Sequence, residues 1–253
     1  MLDKIFERIP INKEGRLTLI VCALVATWWT GPSQRRLFSS VSIHEGNYER
    51  WMNGVVLSES KTHLLQYVRS LWHSRGLGGG VKYRMRELAQ GSGEYLSALR
   101  NLHTLTLYNT KVEPISKEQF RTCFSAFRET LTCLFLDSFT TSFSAFVTLV
   151  GYFPNITTLQ LRSFTLGPDE GPVPSLSRPP RGKLHLHNVQ SNHLEFLTRL
   201  SKLDLEYEEL VIGSSSLLSR TSFVERALQI SASTVKFLRL ITEPQCKQSL
   251  CFS

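Results

Sequence analysis

Residues 102–108 read LHTLTLY, a leucine, two variable residues, and then two leucines that flank a threonine. The same pattern, with aliphatic residues at the anchor positions, returns in five later segments. In an extended strand, alternate side chains lie on one face, so two anchors that are two residues apart share a face. The sequence therefore predicts six strands that each have one apolar face. The anchors are Leu102, Leu105 and Leu107; Leu131, Leu134 and Leu136; Ile156, Leu159 and Leu161; Leu184 and Leu186; Leu210 and Ile212; and Val235, Leu238 and Leu240.

The spacing of these strands is regular. The middle anchors, at positions 105, 134, 159, 184, 210 and 238, follow one another at intervals of 29, 25, 25, 26 and 28 residues. This period is typical of leucine-rich repeats, whose stacking buries the apolar face that one strand cannot bury alone. We therefore expect an α/β fold, in which residues 99–241 form a leucine-rich-repeat solenoid with a curved parallel sheet.

The segments between the strands fit a returning chain on the other side of the sheet. Phe120, Phe124 and Phe127 lie at helical spacing, and residues 143–150 repeat that pattern. Residues 166–182 carry five prolines in place of a helix, which predicts an irregular loop that does not interrupt the period.

Two repeats depart from the pattern. The fourth has Arg181 where a leading aliphatic residue is expected. The fifth offers a competing strand at Leu203 and Leu205, but Leu210 and Ile212 preserve the spacing and are therefore preferred.

The first residues show helical periodicity in place of the strand pattern. One apolar helical face precedes Pro10, and a second is continued by Val25 and Trp28. These faces are formed by Leu2, Ile5, Phe6 and Ile9, and by Leu17, Ile20, Val21 and Leu24.

A third helix is expected to begin at Pro32 and Ser33, because proline is favoured in the first helical turn. Val41 and Ile43 then alternate as in a strand. We accordingly expect a three-helix unit over residues 1–43. A connecting region with an early irregular repeat would follow over residues 44–98, and a polar tail would close the chain at residues 242–253.

A signal peptide is the competing interpretation of this region, because an apolar run of thirteen residues at 17–29 follows several basic residues. However, Asp3, Glu7 and Glu14 interrupt the basic segment, and two tryptophans occupy positions where small residues should precede cleavage. The run is also too short to span a bilayer. We therefore favour the helical unit and expect no membrane association.

Composition favours a sizeable core, since 42% of the 253 residues are hydrophobic. The formal charge of +8 would attract acidic partners, but no block of five or six basic residues predicts nucleic-acid binding. The five cysteines are scattered and lack paired metal-ligand spacing. We expect them to be reduced, in a cytoplasmic or nuclear protein.

Enzymatic signatures are weak. The glycine-rich segment 75–80 lacks the third glycine of a dinucleotide-binding fingerprint. His185 and His187 share a strand face, but no third metal ligand can be placed beside them. The expectation is a protein that is not an enzyme and needs no cofactor or metal.

Three N-terminal segments together resemble the F-box motif, namely LDKIFERIP at 2–10, CALVATW at 22–28 and PSQRRLFSSV at 32–41. They are most similar to the variant in the large fungal families of F-box proteins with leucine-rich repeats. The Leu-Pro pair that usually opens the motif is absent, so the box resembles an N-terminally truncated one. The cysteine that commonly follows the valine is replaced by Ala26.

This resemblance implies a substrate-recognition subunit of a cullin-RING ubiquitin ligase, monomeric outside the complex. In that family the box docks on a Skp-type adaptor and the repeats hold a protein target. The alternative is a leucine-rich-repeat scaffold that binds a protein, with the degenerate box serving only as a cap on the solenoid. By position, the adaptor-facing residues would be Ile5, Phe6, Ile9, Pro10, Leu24, Val25 and Trp28.

Target binding is expected at outward strand positions that carry aromatic, histidine or arginine side chains. Tyrosine, tryptophan and arginine contribute most to protein interfaces, and an exposed phenylalanine favours a partner. The expected partner has an acidic, partly apolar or aromatic patch. The candidate residues are Tyr108, Phe135, Arg162, His185, Phe237 and Arg239.

Overall fold

The computed structural model describes residues 2–74, 83–84, 95–112, 117–168, 181–187, 192–200, 206–214 and 235–242, with residues 225 and 229. It shows a mixed α/β fold with two parallel sheets. The large sheet contains β1 Ser40–His44, β2 Ser70–Ser74, β4 Thr104–Tyr108, β6 Cys133–Asp137, β8 Thr158–Arg162, β10 Arg181–His187, β11 Glu206–Ser214 and β12 Phe237–Thr242. The small sheet contains β3 Tyr83–Arg84, β5 Thr110–Val112, β7 Thr140–Thr141 and β9 Thr165–Leu166.

The eight strands of the large sheet follow one another in chain order, and every neighbouring pair is parallel. The six predicted strands are therefore confirmed as strands of one sheet. Leu210 and Ile212 pair with Leu184 and Leu186, as the spacing predicted. The competing residues, at positions 203 and 205, lie outside the described part of the chain.

The sheet begins two strands before the first repeated segment. β1 was predicted from the alternation of Val41 and Ile43, whereas β2 was not among the six predicted strands. The anchor Leu71 of β2 precedes Leu105 by 34 residues, outside the regular period. Its second anchor position is His73, which is 1% exposed and pairs with Leu107 of β4. Because a histidine occupies an anchor position where the other strands have an aliphatic residue, the aliphatic pattern does not identify this strand.

Hydrogen bonds at the strand entrances tie each repeat to the preceding one. The carbonyl of Ser39 accepts hydrogen bonds from the amides of both Arg69 and Ser70, each at 2.9 Å. Side chains just before the leading anchors continue this linkage. Asn101 Nδ2 donates to the carbonyl of Gln66 at 2.8 Å, Thr130 Oγ1 to Leu102 at 2.9 Å, and Asn155 Nδ2 to Glu129 at 2.7 Å.

Left-handed corners connect the two sheets. Asn109, Ser138 and Ser163 follow β4, β6 and β8 with φ of 53°, 54° and 50°, a conformation that only short polar side chains and glycine adopt readily. The amide of Asn109 donates to the carbonyl of Asp137, and that of Ser138 to Arg162, both at 2.9 Å. The corners therefore stack in register like the strands.

Phenylalanines fill the space between the sheet and the helices beside it. As predicted, Phe120, Phe124 and Phe127 are buried, within the helix Lys117–Phe124 and the 3₁₀ helix Ser125–Phe127. Residues 143–150 also form the predicted helix, Phe143–Tyr152. The rings of Phe139 and Phe164 stack with centroids 5.4 Å apart, and Phe196 of the helix Asn192–Leu200 lies 4.8 Å from Phe164.

Three helices precede the sheet, α1 Leu2–Phe6, α2 Lys13–Val25 and α3 Thr27–Phe38. The predicted start of the third helix at Pro32 is wrong, because Pro32 lies inside α3. The chain turns earlier, at the extended residue Ala26, whose carbonyl accepts the amide of Trp29 at 2.9 Å. The helix Glu45–Trp51, a π-helical turn Met52–Val56 and the 3₁₀ helix Thr62–Tyr67 then connect β1 to β2.

A glycine permits the irregular entry into β10. Gly182 has φ of +101°, and a Cβ atom there would collide with the carbonyl oxygen of Thr157. The register with β11 shifts between Gly182 and Lys183. Arg181, at the position of the missing aliphatic anchor, is exposed. The prolines predicted to form the preceding loop lie outside the described residues, apart from the exposed Pro168.

Gly182→Ala is expected to lower the free energy of unfolding by about 1–3 kcal/mol, because alanine strains a positive φ and meets the Thr157 carbonyl. Urea denaturation measures this change.

Gly54→Ala is the matched control. Gly54 lies in the π-helical turn Met52–Val56, and a Cβ there would meet nothing within 4 Å, so alanine should leave the free energy of unfolding unchanged or raise it by up to about 1 kcal/mol. Equal effects of the two substitutions would contradict the strained approach of β10 to β8.

Candidate functional site

The face of the large sheet opposite the leucine rows presents aligned rows of variable side chains. Register places the middle position of β2 beside those of β4, β6, β8, β10, β11 and β12. All six predicted target-binding residues, Tyr108, Phe135, Arg162, His185, Phe237 and Arg239, lie on this face. The middle row comprises Trp72, Thr106, Phe135, Gln160, His185, Val211 and Arg239.

Aromatic side chains occupy the β2–β6 part of this face. The rings of Trp72 and Tyr108 lie 5.7 Å apart, and Phe135 is in the same row as Trp72, with Thr106 between them. The sequence prediction did not include Trp72. The alternation of Ser70, Trp72 and Ser74 was the available signal, but this strand was not among the six predicted from the repeat.

Charged side chains occupy the β8–β12 part. Glu209 Oε2 lies 2.8 Å from Lys183 Nζ, and its Oε1 lies 3.6 Å from Arg239 Nη2. The hydrogen bond from Lys183 and the charges of both cations lower the pKa of Glu209. Arg239 is thus paired with a carboxylate, yet 69% of its side chain remains exposed.

Asp137 lies at the junction of the two parts, in one row with Arg162 and His187. Burial raises the pKa of its carboxyl group, and the hydrogen bond from Ser138 and the charge of Arg162 offset part of that effect. The folded protein thus keeps a carboxylate where it is poorly solvated. Such groups are concentrated at functional sites.

His185 is half-buried, and burial followed by the proximity of His187 lowers its pKa, so the ring is neutral at neutral pH. The two imidazole centroids lie 6.2 Å apart. Within the described residues, no group of three metal-ligating side chains occurs. Val211 lies between His185 and Arg239 in the middle row but is only 1% exposed.

A second candidate surface is apolar and lies on α2 and the start of α3. Leu24 is 80% exposed, Val25 65% and Trp28 62%, which is unusual for side chains of this size. Leu17, Ile20 and Val21, also exposed, extend the same helical face. They were part of the predicted apolar pattern but not of the predicted adaptor site. We call Leu17, Ile20, Val21, Leu24, Val25 and Trp28 the apolar surface.

The remaining predicted adaptor-facing residues are placed differently. Ile5 is 56% exposed, Pro10 is exposed and Ile9 is half-buried. Phe6 does not belong to the exposed apolar surface, because it is 4% exposed and packs edge-on against Trp29 at 6.0 Å. This contact holds α1 against α3, so Phe6 is a core residue of the helical unit.

No family model matches this sequence, and no curated protein matches it either. Among the described helices, none is both long enough and apolar enough to cross a membrane. The two candidate surfaces are therefore identified from side-chain exposure and strand register alone.

Asp137 and Glu209 are expected to affect stability in opposite directions. For Asp137, the folded state favours the protonated acid, so its carboxyl group destabilises the fold as the pH rises above the ordinary pKa of 3.8. For Glu209, the folded state favours the carboxylate, whose stabilisation is present above the ordinary pKa of 4.5 and is lost as the pH falls through the lower folded pKa.

At neutral pH, Asp137→Asn should therefore unfold at the same or a higher temperature than the parent, and Glu209→Gln at a lower one. Each difference should shrink in acid, where the parent carboxyl groups are protonated. Thermal unfolding followed by circular dichroism over a pH series measures this. Shifts of both variants in the same direction at neutral pH would contradict the assignment.

Proposed function

We propose that this chain is a substrate-recognition subunit of a cullin-RING ubiquitin ligase. Its helices α1–α3 would act as an F-box that docks on a Skp-type adaptor, and its repeats would form a leucine-rich-repeat solenoid that binds a protein target. The subunit would act in the cytoplasm or nucleus. It would contribute binding and positioning, while other subunits carry out ubiquitin transfer.

The observation that carries the proposal is the apolar surface on α2 and α3. Leu17, Ile20, Val21 and Leu24 recur at helical spacing, yet they face away from the buried Leu19. A contiguous apolar surface on a small helical unit is typical of a protein-binding site, because its burial would gain about 25 cal/mol per Å². An adaptor that packs against this surface would supply the missing side of a core.

The sheet supports the second half of the proposal. A repeating strand unit with a period of 25 to 29 residues in residues 105–238, with all strands parallel and in chain order, is what a leucine-rich-repeat solenoid requires. Its face carries aromatic residues beside cations and the poorly solvated Asp137. This surface would suit a protein segment that has an apolar or aromatic part and an acidic part.

A cap on the solenoid is the second candidate function of the helices. α3 contacts both β1 and the 3₁₀ helix Thr62–Tyr67, and the chain passes from α3 almost directly into β1. The helices therefore lie at the first strand of the sheet, where a repeat array needs its apolar edge covered. A cap alone would not need Leu24 and Trp28 to be exposed, so the two functions differ in their effect on binding.

Leu24→Ala and Trp28→Ala should each weaken binding to a Skp-type adaptor by about tenfold or more, as substitutions at the centre of an interface do. Because both side chains are largely exposed, the melting temperature of the free chain should change little. Binding is measured by titration calorimetry with the purified adaptor.

Arg16→Ala, at an exposed position of α2 outside the apolar surface, is the control for binding. Leu19→Ala is the control for stability and should cost about 2–5 kcal/mol, because Leu19 is fully buried. If the parent protein does not bind the adaptor, or if Leu24→Ala binds equally well, the cap function is favoured.

Phe135→Ala combined with Arg162→Ala should abolish capture of the target while leaving adaptor binding and thermal stability near those of the parent. Phe135 is half-exposed and Arg162 is exposed on the sheet face, so their removal creates no large cavity. Proximity labelling in cells, followed by pull-down of each labelled protein, measures capture.

Arg121→Ala, exposed on the helix Lys117–Phe124 away from the sheet face, removes the same charge elsewhere. Unchanged capture by the double variant would place recognition outside the sheet face.

A further inference from the structure

A pocket of about 430 Å³ opens where α1 and α3 meet the residue that precedes β2. This volume falls within the range of sites that bind small ligands or single side-chain groups. Three arginines line it, together with one carboxylate, one hydroxyl group and an aromatic wall. The lining includes Phe6, Glu7, Arg35, Arg36, Ser39 and Arg69.

The backbone brings two of the arginines together from distant parts of the chain. The amide of Arg69 donates to the carbonyl of Ser39 at 2.9 Å, which fixes the start of β2 beside the end of α3. Ser39 is in turn bonded to α3, because its Oγ donates to the carbonyl of Arg36 at 2.8 Å. The pocket is thus formed by the junction between the helices and the sheet.

Arg36 is held in place by the helical unit itself. Its Nε and Nη2 donate to the carbonyl of Ile9 at 3.2 Å and 3.0 Å, which leaves Nη1 for another acceptor. Arg69 differs, because its guanidinium forms no hydrogen bond or ion pair with any residue that the structure describes. The pocket therefore contains one positioned guanidinium and one that has no protein acceptor among these residues.

The charge of the pocket favours an anion. Arg36 and Arg69 line it together with a single carboxylate, that of Glu7, which forms no ion pair with the described residues. Arg35 lines the pocket as well, but it already has an interaction of its own. Guanidinium groups bind phosphate oxygens through paired hydrogen bonds, with better geometry than an ammonium group. A phosphomonoester carries about two negative charges at neutral pH and offers three acceptor oxygens.

We propose that this pocket binds a phosphomonoester group, carried either by a small molecule or by a phosphorylated side chain of a partner. Arg36 and Arg69 contact the phosphate, and Phe6 supplies an apolar wall for the group that carries it. The bound phosphate bridges the helices and the sheet, so it stabilises the folded chain. This site is separate from the apolar surface and does not depend on adaptor binding.

The test uses the full chain at constant ionic strength. Calorimetry and thermal unfolding are performed with inorganic phosphate, glucose 6-phosphate, a phosphoserine peptide and its unphosphorylated form. We expect saturable binding of at least one phosphorylated probe, with a rise in melting temperature. Arg69→Ala should weaken that binding by about tenfold or more, since it removes one charge-assisted contact.

Arg100→Ala is the matched control, because Arg100 is exposed and does not line the pocket. It should bind the probes like the parent. Tighter binding of glucose 6-phosphate than of the peptide identifies a small-molecule ligand, whereas tighter binding of the phosphopeptide, with an inert unphosphorylated form, identifies a phosphorylated partner. Absence of saturable binding, or equal binding by the parent and Arg69→Ala, overturns the proposal.

Discussion

Parallel register between neighbouring strands is the constraint on which the rest of this structure depends. Leu105, Leu134, Leu159, Leu184 and Leu210 are paired in one continuous row, with no offset from strand to strand. A slip of one residue at any step would turn the leucines of that strand towards the exposed face and the polar side chains into the core. The bonds from Asn101, Thr130 and Asn155 into the preceding repeats, and the stacked corners at Asn109 and Ser138, reinforce this register.

The same register creates a surface available for recognition. Because the aliphatic rows are confined to one face, most positions on the opposite face need not be apolar. They carry Trp72, Tyr108 and Phe135 on one side, and Arg162 and the ion pairs of Glu209 on the other. Asp137 lies between them with a raised pKa, a position that packing alone does not explain. A protein target that buries this face would contact both the aromatic and the charged part.

The helical unit differs from the sheet in how its apolar residues are used. Phe6 and Leu19 form its small core, whereas Leu24, Val25 and Trp28 remain exposed. A three-helix unit of this size has too little volume to enclose all of its apolar side chains. The adaptor function that we propose gives those side chains a partner, while the contacts of α3 with β1 attach the unit to the sheet.

The sequence by itself determined the six repeat strands, their order and their inward faces, because a period of two within strands and of 25 to 29 between them is recorded directly in leucine positions. It also determined the outward residues Tyr108, Phe135 and Arg162, through the same alternation. Only the tertiary structure decided which apolar side chains of the helices are buried. Phe6 and Leu24 are equally apolar, and the packing of α1 on α3, a contact between residues distant in the chain, separates them. The burial of His73 in β2 and the pocket at Arg69 likewise follow from contacts between residues that are distant in the chain.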